Sequence, residues 1–441
     1  MVISLTSNPL TCKKIFVLKT ILLLGAGKSA TVLIDYLLKE SEAHKWKFII
    51  ADANREQILL KTKNSRFAEA VQIDITSDKQ REKIIQRAHL VISMMPPALH
   101  FLVAKDCVEY RKHLLTASYL DNNIKSLKDE IAHRKLLFIC EIGLDPGIDH
   151  MSAMKIIDDI KDKGGSITSF KSHCGGLVAP ESDNNPWHYK ISWNPRNVVM
   201  AGKPGAEYKL NNEIEHKSYS ELFQNCPQIN IEGLGKLAAY PNRDSLSYIP
   251  VYKLDNVETF MRTTLRYPSF CEGWDAIVKA DLANDTNEIN KHELSFVKWS
   301  AAIIPHVNAT NKLMLQYLGL FDEAHVPPSA KTSADVLQYL LETKLDMQPI
   351  DKDMVVMLHE IEYHLLGKIN KIESSLIVKG EDSLRTAMAK TVGLPLGIAA
   401  KLILNGDIQL TGLHIPITRE IYEPLLKELE LNDITFTERY A

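Results

Sequence analysis

The sequence predicts an α/β fold: a doubly wound parallel sheet, followed by a second α/β domain and a smaller helical portion. Over the first third of the chain, short apolar runs alternate with amphipathic helical stretches, which is typical of a parallel sheet covered by helices. A glycine-rich turn follows the first apolar run. Beyond residue 149 this alternation of strands and helices ends. At 441 residues, the chain is also longer than a single hydrophobic core usually organises. We therefore expect at least two domains.

Candidate strands and helices alternate up to residue 140. The predicted strands are Thr20–Leu24, Lys47–Ala51, Val71–Ile73, Leu90–Ser93, His113–Thr116 and Leu136–Cys140. The predicted helices between them are Lys28–Lys39, Arg55–Thr62, Asp78–Arg87, Leu99–Tyr110 and Asn122–Arg134. This alternation predicts a doubly wound sheet.

The remaining chain predicts two further parts. We expect residues 19–145 to form the first domain, 146–390 a second α/β domain with a helical insertion, and 391–441 a segment that packs back on the first domain. A helix near Met151–Lys163 and a strand at Ser166–His173 open the second domain. Residues 300–390 are predicted to be largely helical around a strand-like stretch. The predicted elements of this region and the C-terminal segment are Ser333–Leu345, Asp353–Tyr363, Glu381–Thr391, Leu394–Asn405 and Arg419–Leu429.

Composition favours a cytoplasmic globular protein. The net charge is −3 and charged residues make up 24%, so no nucleic-acid or membrane partner is expected. The apolar run at Ile21–Leu24 is far shorter than the ~20 residues of a membrane span. The first 18 residues lack the order of a signal peptide and predict a short extension. Six scattered cysteines, without a CxxC pair or zinc spacing, predict reduced thiols and no metal site.

The glycine-rich turn fits the pattern GxGxxA between a strand and a helix, which is the context that makes this pattern informative. Its first glycine permits a tight turn, its second leaves room for a pyrophosphate at the helix N-terminus, and Ala30 allows close packing on the sheet. The turn therefore predicts a dinucleotide site of the Rossmann type. The candidate cofactor-binding residues of the turn are Gly25, Ala26, Gly27, Lys28 and Ser29.

Asp52, at the end of the second predicted strand, favours NAD over NADP. Its carboxylate can accept hydrogen bonds from the adenosine ribose, and its charge would repel a 2′-phosphate. Arg55 lies near enough to offer the opposite preference, so NADP stays the alternative cofactor. Asp52 could instead only cap the helix that begins near Asn54. Further candidate cofactor contacts at the carboxyl edge of the sheet are Asp74, Ser93 and Met95.

Four downstream motifs are too polar and too rich in glycine for simple connections. They are GLDPGIDH at 143–150, CGGL at 174–177, YPNRDS at 240–245 and TLRY at 264–267. In order and spacing they resemble the glutamate-forming saccharopine dehydrogenases, also called saccharopine reductases, from about Lys19 to the C-terminus. The resemblance implies a homodimer whose second domain mediates dimerisation and closes over saccharopine. It also implies the NAD(P)-dependent, reversible conversion of saccharopine and water to L-glutamate and 2-aminoadipate 6-semialdehyde, a step of lysine metabolism.

The resemblance also assigns site residues. Saccharopine carries three carboxylates, for which arginine offers bidentate pairing. The implied substrate contacts are Ser118, Tyr119, Asp145, Arg243, Thr264, Leu265 (through its backbone) and Arg266. The groups we place nearest the reacting amine, as candidate catalytic residues, are Asp145, Cys174 and Tyr119.

Several alternatives stay open on the sequence alone. Asp145 could serve simple turn chemistry, Cys174 could be a buried apolar residue, and His150 and His173 could be structural or could shuttle protons. Pro97 and His173 depart from the aromatic residues that related sequences carry. A carboxyspermidine or carboxynorspermidine dehydrogenase is the nearest alternative function, although two arginines suit a substrate with more carboxylates. A non-catalytic dinucleotide-binding scaffold is the other.

Overall fold

The computed structural model of the protein describes residues 18–290 and 292–440. The extension expected ahead of the first strand, with Cys12, lies outside the described residues. Elements are numbered below in chain order.

The first sheet is parallel and doubly wound. Its first six strands are β1 (Thr20–Leu24), β2 (Lys47–Asp52), β3 (Ala68–Gln72), β4 (Leu90–Ser93), β5 (His113–Thr116) and β6 (Leu137–Ile139). The helices between them are α1 (Thr31–His44), α2 (Arg55–Thr62), α3 (Asp78–Ile85), α4 (His100–Glu109), α5 (Asn122–Lys125) and α6 (Lys128–His133). These strands lie in the order β6-β5-β4-β1-β2-β3. The predicted Rossmann-type sheet is thereby confirmed.

Strand β1 illustrates why this sheet needs helices on both faces. All five of its residues are buried. Ile21 and Leu23 point into one apolar core, whereas Leu22 and Leu24 point into another on the opposite face. Alternate side chains of a strand face opposite sides, so a fully apolar strand must be covered twice.

The second unit is a mixed sheet with a helical portion. Its strands are β7 (Ser166–Val178), β8 (Ala206–Leu210), β9 (Glu213–Lys217), β10 (Gln228–Ile231), β11 (Gly235–Pro241), β12 (Arg243–Asp244), β13 (Thr259–Arg266), β14 (Asp353–Leu365) and β15 (Lys368–Lys379). Its helices are α7 (Ile148–Asp162), α8 (Pro195–Val199), α9 (Tyr248–Val251), α10 (Pro268–Lys279), α11 (Phe296–Trp299), α12 (Lys312–Leu318) and α13 (Ser333–Lys344). Strand β13 runs parallel to β7, and β7 pairs antiparallel with β14.

The smaller helical portion has an aromatic core. Phe270 and Trp274 on α10 stack with ring centroids 5.2 Å apart, and the edge of Trp187 packs against both rings. All three side chains are buried. The same core includes Ala206, Ala238 and Tyr240 of the second sheet, so these aromatic side chains hold the helical portion against that sheet.

The prediction of mostly helical structure over residues 300–390 is wrong. Strands β14 and β15 form a long hairpin, paired along their full length and closed by Leu366 and Gly367, which both have positive φ. Such a two-residue turn matches the twist of a hairpin. The predicted helix at Ser333–Leu345 and the predicted strand at Asp353–Tyr363 are present as α13 and β14, whereas β15 was not predicted.

The C-terminal part joins both sheets, and its predicted helix at Arg419–Leu429 is confirmed to within one residue. It contains α14 (Ala387–Asn405), β16 (Gly412–His414), α15 (Arg419–Glu430) and β17 (Thr437–Tyr440). The helices predicted at Glu381–Thr391 and Leu394–Asn405 are wrong in their bounds, because one helix begins at Ala387 and continues through Pro395. Strand β16 extends the first sheet beside β6, and β17 extends the second beside β15. The domain boundaries at 145 and 390 stay predictions.

Helix α14 continues through Pro395 because it is held by packing. By length and hydropathy it could cross a membrane, but 78% of its most apolar 18-residue window is buried inside the protein. A Cβ at Gly393 would lie 3.0 Å from Leu33, and one at Gly397 would lie 2.7 Å from Tyr36, so α14 lies directly against α1. This close contact offsets the cost of an interior proline.

Candidate functional site

The glycine-rich turn between β1 and α1 forms an open cradle. Gly25 has a φ of 99°, and a Cβ there would lie 2.8 Å from the backbone oxygen of Met94, so a larger residue would be strained and obstructed. At Gly27 nothing lies within 4 Å of the corresponding position. Lys28 is exposed and Ser29 half-buried in the short turn that precedes α1. The shape suits an anion at a helix N-terminus.

Asp52 at the end of β2 is tied to this turn. One carboxylate oxygen accepts the Ala26 amide at 2.7 Å, and the other accepts the Asn54 amide at 2.9 Å. Asn54, not Asp52, caps α2, because its side chain accepts from the amide of Gln57 at 3.1 Å. The alternative that Asp52 only caps this helix is therefore wrong.

A cleft of about 560 Å³ opens beside Asp52 at the carboxyl ends of β2 and β3. Asp74 and Met95 line it, and no lysine or arginine is among the described residues of its lining. Asp74 accepts hydrogen bonds from the amide and hydroxyl of Thr76, at 2.9 and 2.7 Å. The cleft thus presents carboxylates to whatever occupies it.

Lys61 on α2 is a cation that the sequence prediction missed. Its ammonium donates to the backbone oxygens of Ala26 and Gly27, at 2.7 and 2.5 Å. Burial lowers the pKa of Lys61 to about 8. A positive charge therefore lies against the back of the glycine-rich turn.

A buried histidine joins the ends of β4 and β5. His100 Nδ1 lies 2.8 Å from the hydroxyl of Ser93, and its Nε2 lies 2.7 Å from the hydroxyl of Ser118. Burial lowers the pKa of His100 to about 4, so the ring is neutral at physiological pH. The predicted cofactor contact Ser93 and the predicted substrate contact Ser118 are thus hydrogen-bonded to one side chain.

Asp145 lies in a buried carboxylate pair around one arginine. Arg262 on β13 donates to Asp145 and, at 2.8 Å, to Asp149 in the first turn of α7. Asp149 also accepts the amide of Gly147 at 2.6 Å. Burial raises the pKa of Asp145 to about 6, and the nearby charge of Asp149 adds to this rise while Arg262 opposes it. Asp145 can therefore take up or release a proton near neutral pH.

A second buried network adjoins this pair. His150 Nε2 lies 2.8 Å from Glu141, and its Nδ1 lies 2.6 Å from the hydroxyl of Tyr252. Tyr248 donates to the same carboxylate of Glu141 at 2.9 Å. The ring of Tyr248 faces the guanidinium of Arg262 at 4.6 Å. His150 is thus bound within the protein on both nitrogens.

Arg243 and Tyr119 face one another. The guanidinium of Arg243 lies 5.2 Å from the centroid of the Tyr119 ring. Arg243 is exposed, and it forms no ion pair with any described carboxylate. Burial raises the pKa of Tyr119, so its phenol stays protonated. The site therefore holds one free cation against an aromatic ring.

Arg266 is a buried guanidinium without a carboxylate partner among the described residues. It donates to the backbone oxygen of Leu265 at 2.8 Å and lies over the rings of Tyr189 and Phe270, at 5.2 and 5.5 Å. Its Nε has no hydrogen-bond partner. A buried charge that is only partly satisfied suits an incoming anion.

Cys174 lies on β7 opposite Thr264 of β13. Burial raises the pKa of its thiol well above the ordinary value, and the charges of Asp145 and Asp149 raise it further. The next residue, Gly175, lies so close to β13 that a Cβ would lie 2.4 Å from the backbone oxygen of Leu265. Cys174 is therefore a protonated thiol in a tightly packed wall.

Two family models match the chain in succession. The model described as the saccharopine dehydrogenase NADP binding domain matches residues 21–139, and the one described as the saccharopine dehydrogenase C-terminal domain matches residues 143–434. The chain belongs to the saccharopine dehydrogenase family. The resemblance inferred from the four motifs is confirmed.

Relatives within the saccharopine dehydrogenase family include proteins of similar length and proteins about twice as long. The chain is 33% identical to the NADP(+), L-glutamate-forming saccharopine dehydrogenase of Saccharomyces cerevisiae, over 93% of this chain and 97% of the relative. It is 32% identical to the mitochondrial alpha-aminoadipic semialdehyde synthase of Rattus norvegicus, over 95% of this chain. It spans only 47% of that synthase, about half its length.

A solved structure matches the saccharopine dehydrogenase fold over nearly the whole chain. Apo saccharopine dehydrogenase (L-Glu forming) from Saccharomyces cerevisiae superposes with a TM-score of 0.86 at 31% identity. The match covers 96% of this chain and 100% of the yeast chain. The arrangement of the two sheets is therefore that of the family.

The structure brings together most of the residues predicted for a saccharopine dehydrogenase site. Beside Asp145 lie Tyr119 and Cys174; Arg243 faces the Tyr119 ring, and Arg266 lies near Cys174. The cofactor candidates occupy the carboxyl edge of the first sheet. His173 lies outside this group, with its ring nitrogens near Thr263 and Glu360, at 2.7 and 3.0 Å.

Arg262 is the main residue that sequence reasoning missed in this family member. Side chains at alternate positions of a strand share a face, so Arg262, Thr264 and Arg266 point the same way from β13. Assigning Arg266 to the site therefore assigns Arg262 as well. His100 and Lys61 carried no comparable signal in the sequence.

Proposed function

We propose that the protein is an NAD(P)-dependent oxidoreductase that converts saccharopine and water to L-glutamate and 2-aminoadipate 6-semialdehyde, reversibly. One observation carries this proposal: two arginines without carboxylate partners among the described residues, Arg243 and Arg266, lie beside Tyr119 and Cys174, which are neighbours of Asp145. A substrate with several carboxylates around one reacting amine has the complementary charge. The yeast relative and the family are both named for saccharopine, which supports the same substrate.

The residues have separable tasks in this reaction. Arg243 and Arg266 bind and orient carboxylates of the substrate, since each has donors to spare. Asp145 exchanges a proton with the amine and with the water that adds to the imine, because its pKa of about 6 suits both steps. Tyr119 and the Cys174 thiol, both protonated, donate hydrogen bonds and shape the pocket. The nicotinamide cofactor supplies the hydride acceptor.

The glycine-rich turn fits a dinucleotide, because Gly27 leaves open space at the N-terminus of a helix. The comparisons favour NADP, which the matched family model and the yeast relative carry in their descriptions. The cleft beside β2 supports the opposite choice, since Asp52 and Asp74 line it without a described lysine or arginine. We propose NAD as the preferred cofactor of this chain on that ground.

The test measures cofactor reduction and glutamate release in the same reaction. Purified protein is mixed with saccharopine and NAD⁺ or NADP⁺, and the absorbance of the reduced cofactor is followed together with released glutamate. We expect both signals, with a higher kcat/KM for NAD⁺. No reduced cofactor and no glutamate in either direction would overturn the substrate assignment. Turnover of carboxyspermidine in place of saccharopine would favour the alternative. The homodimer and the cytoplasmic location stay predictions.

A further inference from the structure

Arg262 is a buried arginine that binds Asp145. Its side chain is 3% exposed, and its guanidinium contacts Asp145 and Asp149 at once. The Tyr248 ring covers it at 4.6 Å and the Tyr119 ring at 6.0 Å. No other described carboxylate lies within ion-pair distance of this arginine.

The charges of this cluster do not balance. One guanidinium faces two carboxylates whose side chains are 14% and 2% exposed, so ionising both leaves a negative charge that this guanidinium does not balance and that water reaches poorly. Such a charge is costly, and one carboxylate of a like-charged pair then holds a proton more strongly. Asp149 is the better stabilised partner, since it also accepts the Gly147 amide at 2.6 Å. The extra proton therefore belongs on Asp145.

We propose that Arg262 and Asp149 are positioning residues that orient Asp145 and set its proton affinity in opposite directions. Arg262 favours the carboxylate, whereas Asp149 favours the acid. The proposal rests on the proposed function only for the role of Asp145 in turnover. The hydrogen bonds and the charge imbalance exist whatever the substrate is.

Other ionisable groups around Asp145 come from several elements. They are Asp149 and His150 on α7, Arg262 on β13, Tyr119 after β5 and Cys174 on β7. Burial raises the pKa of both Tyr119 and Cys174, so these two stay neutral across the physiological range. His150 is held by Glu141 and Tyr252, and its Nδ1 also lies 3.7 Å from Asp149. Arg262 and Asp149 are thus the neighbours whose removal changes the charge at Asp145 most directly.

The test compares variants that change this charge in opposite senses. Arg262→Gln removes the cation and should move the apparent pKa in the kcat/KM profile up by about one pH unit or more. Asp149→Asn removes the like charge and should move it down. Arg262→Lys keeps the charge without the forked contact and should give a smaller rise. Opposite shifts support the proposal, since a merely structural role would lower the rate without them.

A matched control lies on one of the helices that cover the first sheet. Arg81 on α3 is also buried and also donates to two carboxylates, Asp78 at 2.7 Å and Asp106 at 2.6 Å, but none of its hydrogen bonds or ion pairs involves Asp145, Asp149 or Arg262. Arg81→Gln should leave the pH profile unchanged. Shifts of Arg262→Gln and Asp149→Asn in the same direction, or no shift in either, would overturn the proposal. If Arg262→Gln does not fold, Asp149→Asn and Arg262→Lys must still shift in opposite senses.

A spectroscopic readout separates this inference from the proposed function. The carbonyl stretch of a protonated carboxylic acid is followed by infrared difference spectroscopy during a pH titration, and Asp145→Asn identifies the band of Asp145. Its midpoint should rise in Arg262→Gln and fall in Asp149→Asn. If the wild-type protein is inactive with saccharopine, only the proposed function is contradicted. If the midpoint moves in neither variant, only the inference about Arg262 and Asp149 is contradicted.

Discussion

His100 and Ser118 are joined by a hydrogen bond of 2.7 Å between Nε2 and Oγ, at the point where the two candidate sites meet. The other ring nitrogen lies 2.8 Å from Ser93. Because the ring is neutral, one of its nitrogens donates and the other accepts. The hydroxyls of Ser93 and Ser118 are therefore held in complementary orientations. A change in the orientation of one serine is transmitted to the other through a single buried ring.

The first prediction concerns this bridge. His100→Ala leaves two hydroxyls without their partner, so it should lower the free energy of unfolding by about 1–3 kcal/mol. It should also lower kcat/KM for saccharopine about tenfold or more, while His100→Gln, which can both donate and accept, retains more activity. Steady-state kinetics and chemical denaturation check this. Equal loss in the two variants would contradict the bridging role.

The second prediction concerns cofactor choice. Asp52→Ser removes a carboxylate from the cleft beside the ribose position, so kcat/KM with NADP⁺ relative to NAD⁺ should rise about tenfold or more, which corresponds to about 1.4 kcal/mol. Asp129→Ser, on the remote helix α6, is the control and should not alter the ratio. Clear NADP⁺ preference in the wild-type protein would show that Asp52 does not set the choice.

The third prediction concerns the substrate carboxylates. Arg243→Ala should raise the KM for saccharopine much more than that for the cofactor, because the free guanidinium lies over Tyr119 on the substrate side. A lost charge-assisted contact of about 1.5–3 kcal/mol corresponds to roughly 10- to 150-fold. Arg87→Ala, which removes an exposed arginine paired with Glu69, should change neither constant. Equal increases in both Michaelis constants would argue against a carboxylate contact.

Local patterns predicted the first sheet well. Strands β1, β4 and β5 and helix α2 have the predicted bounds. The apolar runs and capping residues that define them occupy consecutive positions in the sequence. Strand β14 was predicted at Asp353–Tyr363, but β15 was missed, since its place depends on pairing with β14 and with the C-terminal strand β17. The family motifs placed Asp145 and Arg266. Arg262 escaped because its partner Asp145 is 117 residues away.

The fourth prediction concerns the pH dependence of stability. His359 on β14 is buried, its Nε2 lies 2.8 Å from the hydroxyl of Ser152, and its ring stacks between Phe170 and Phe436. Burial lowers the pKa of His359 to about 4. In the unfolded chain this pKa is about 6.5, so between about pH 6.5 and pH 4 the unfolded state binds more protons. The contribution of His359 to stability is therefore present above this window and is lost as the pH falls through it.

Replacing His359 should weaken the pH dependence of the free energy of unfolding. The loss attributable to His359 between pH 8 and pH 5 is about 2 kcal/mol, from the two pKa values. The free energy of unfolding is measured by denaturation at pH 8 and at pH 5. The difference between these two values should be smaller in His359→Gln than in the wild-type protein by about this amount. His133→Gln, at an exposed position of α6, should retain the full wild-type difference. If both variants retain it, His359 is not a buried neutral imidazole, and the acid sensitivity of the fold must come from other groups.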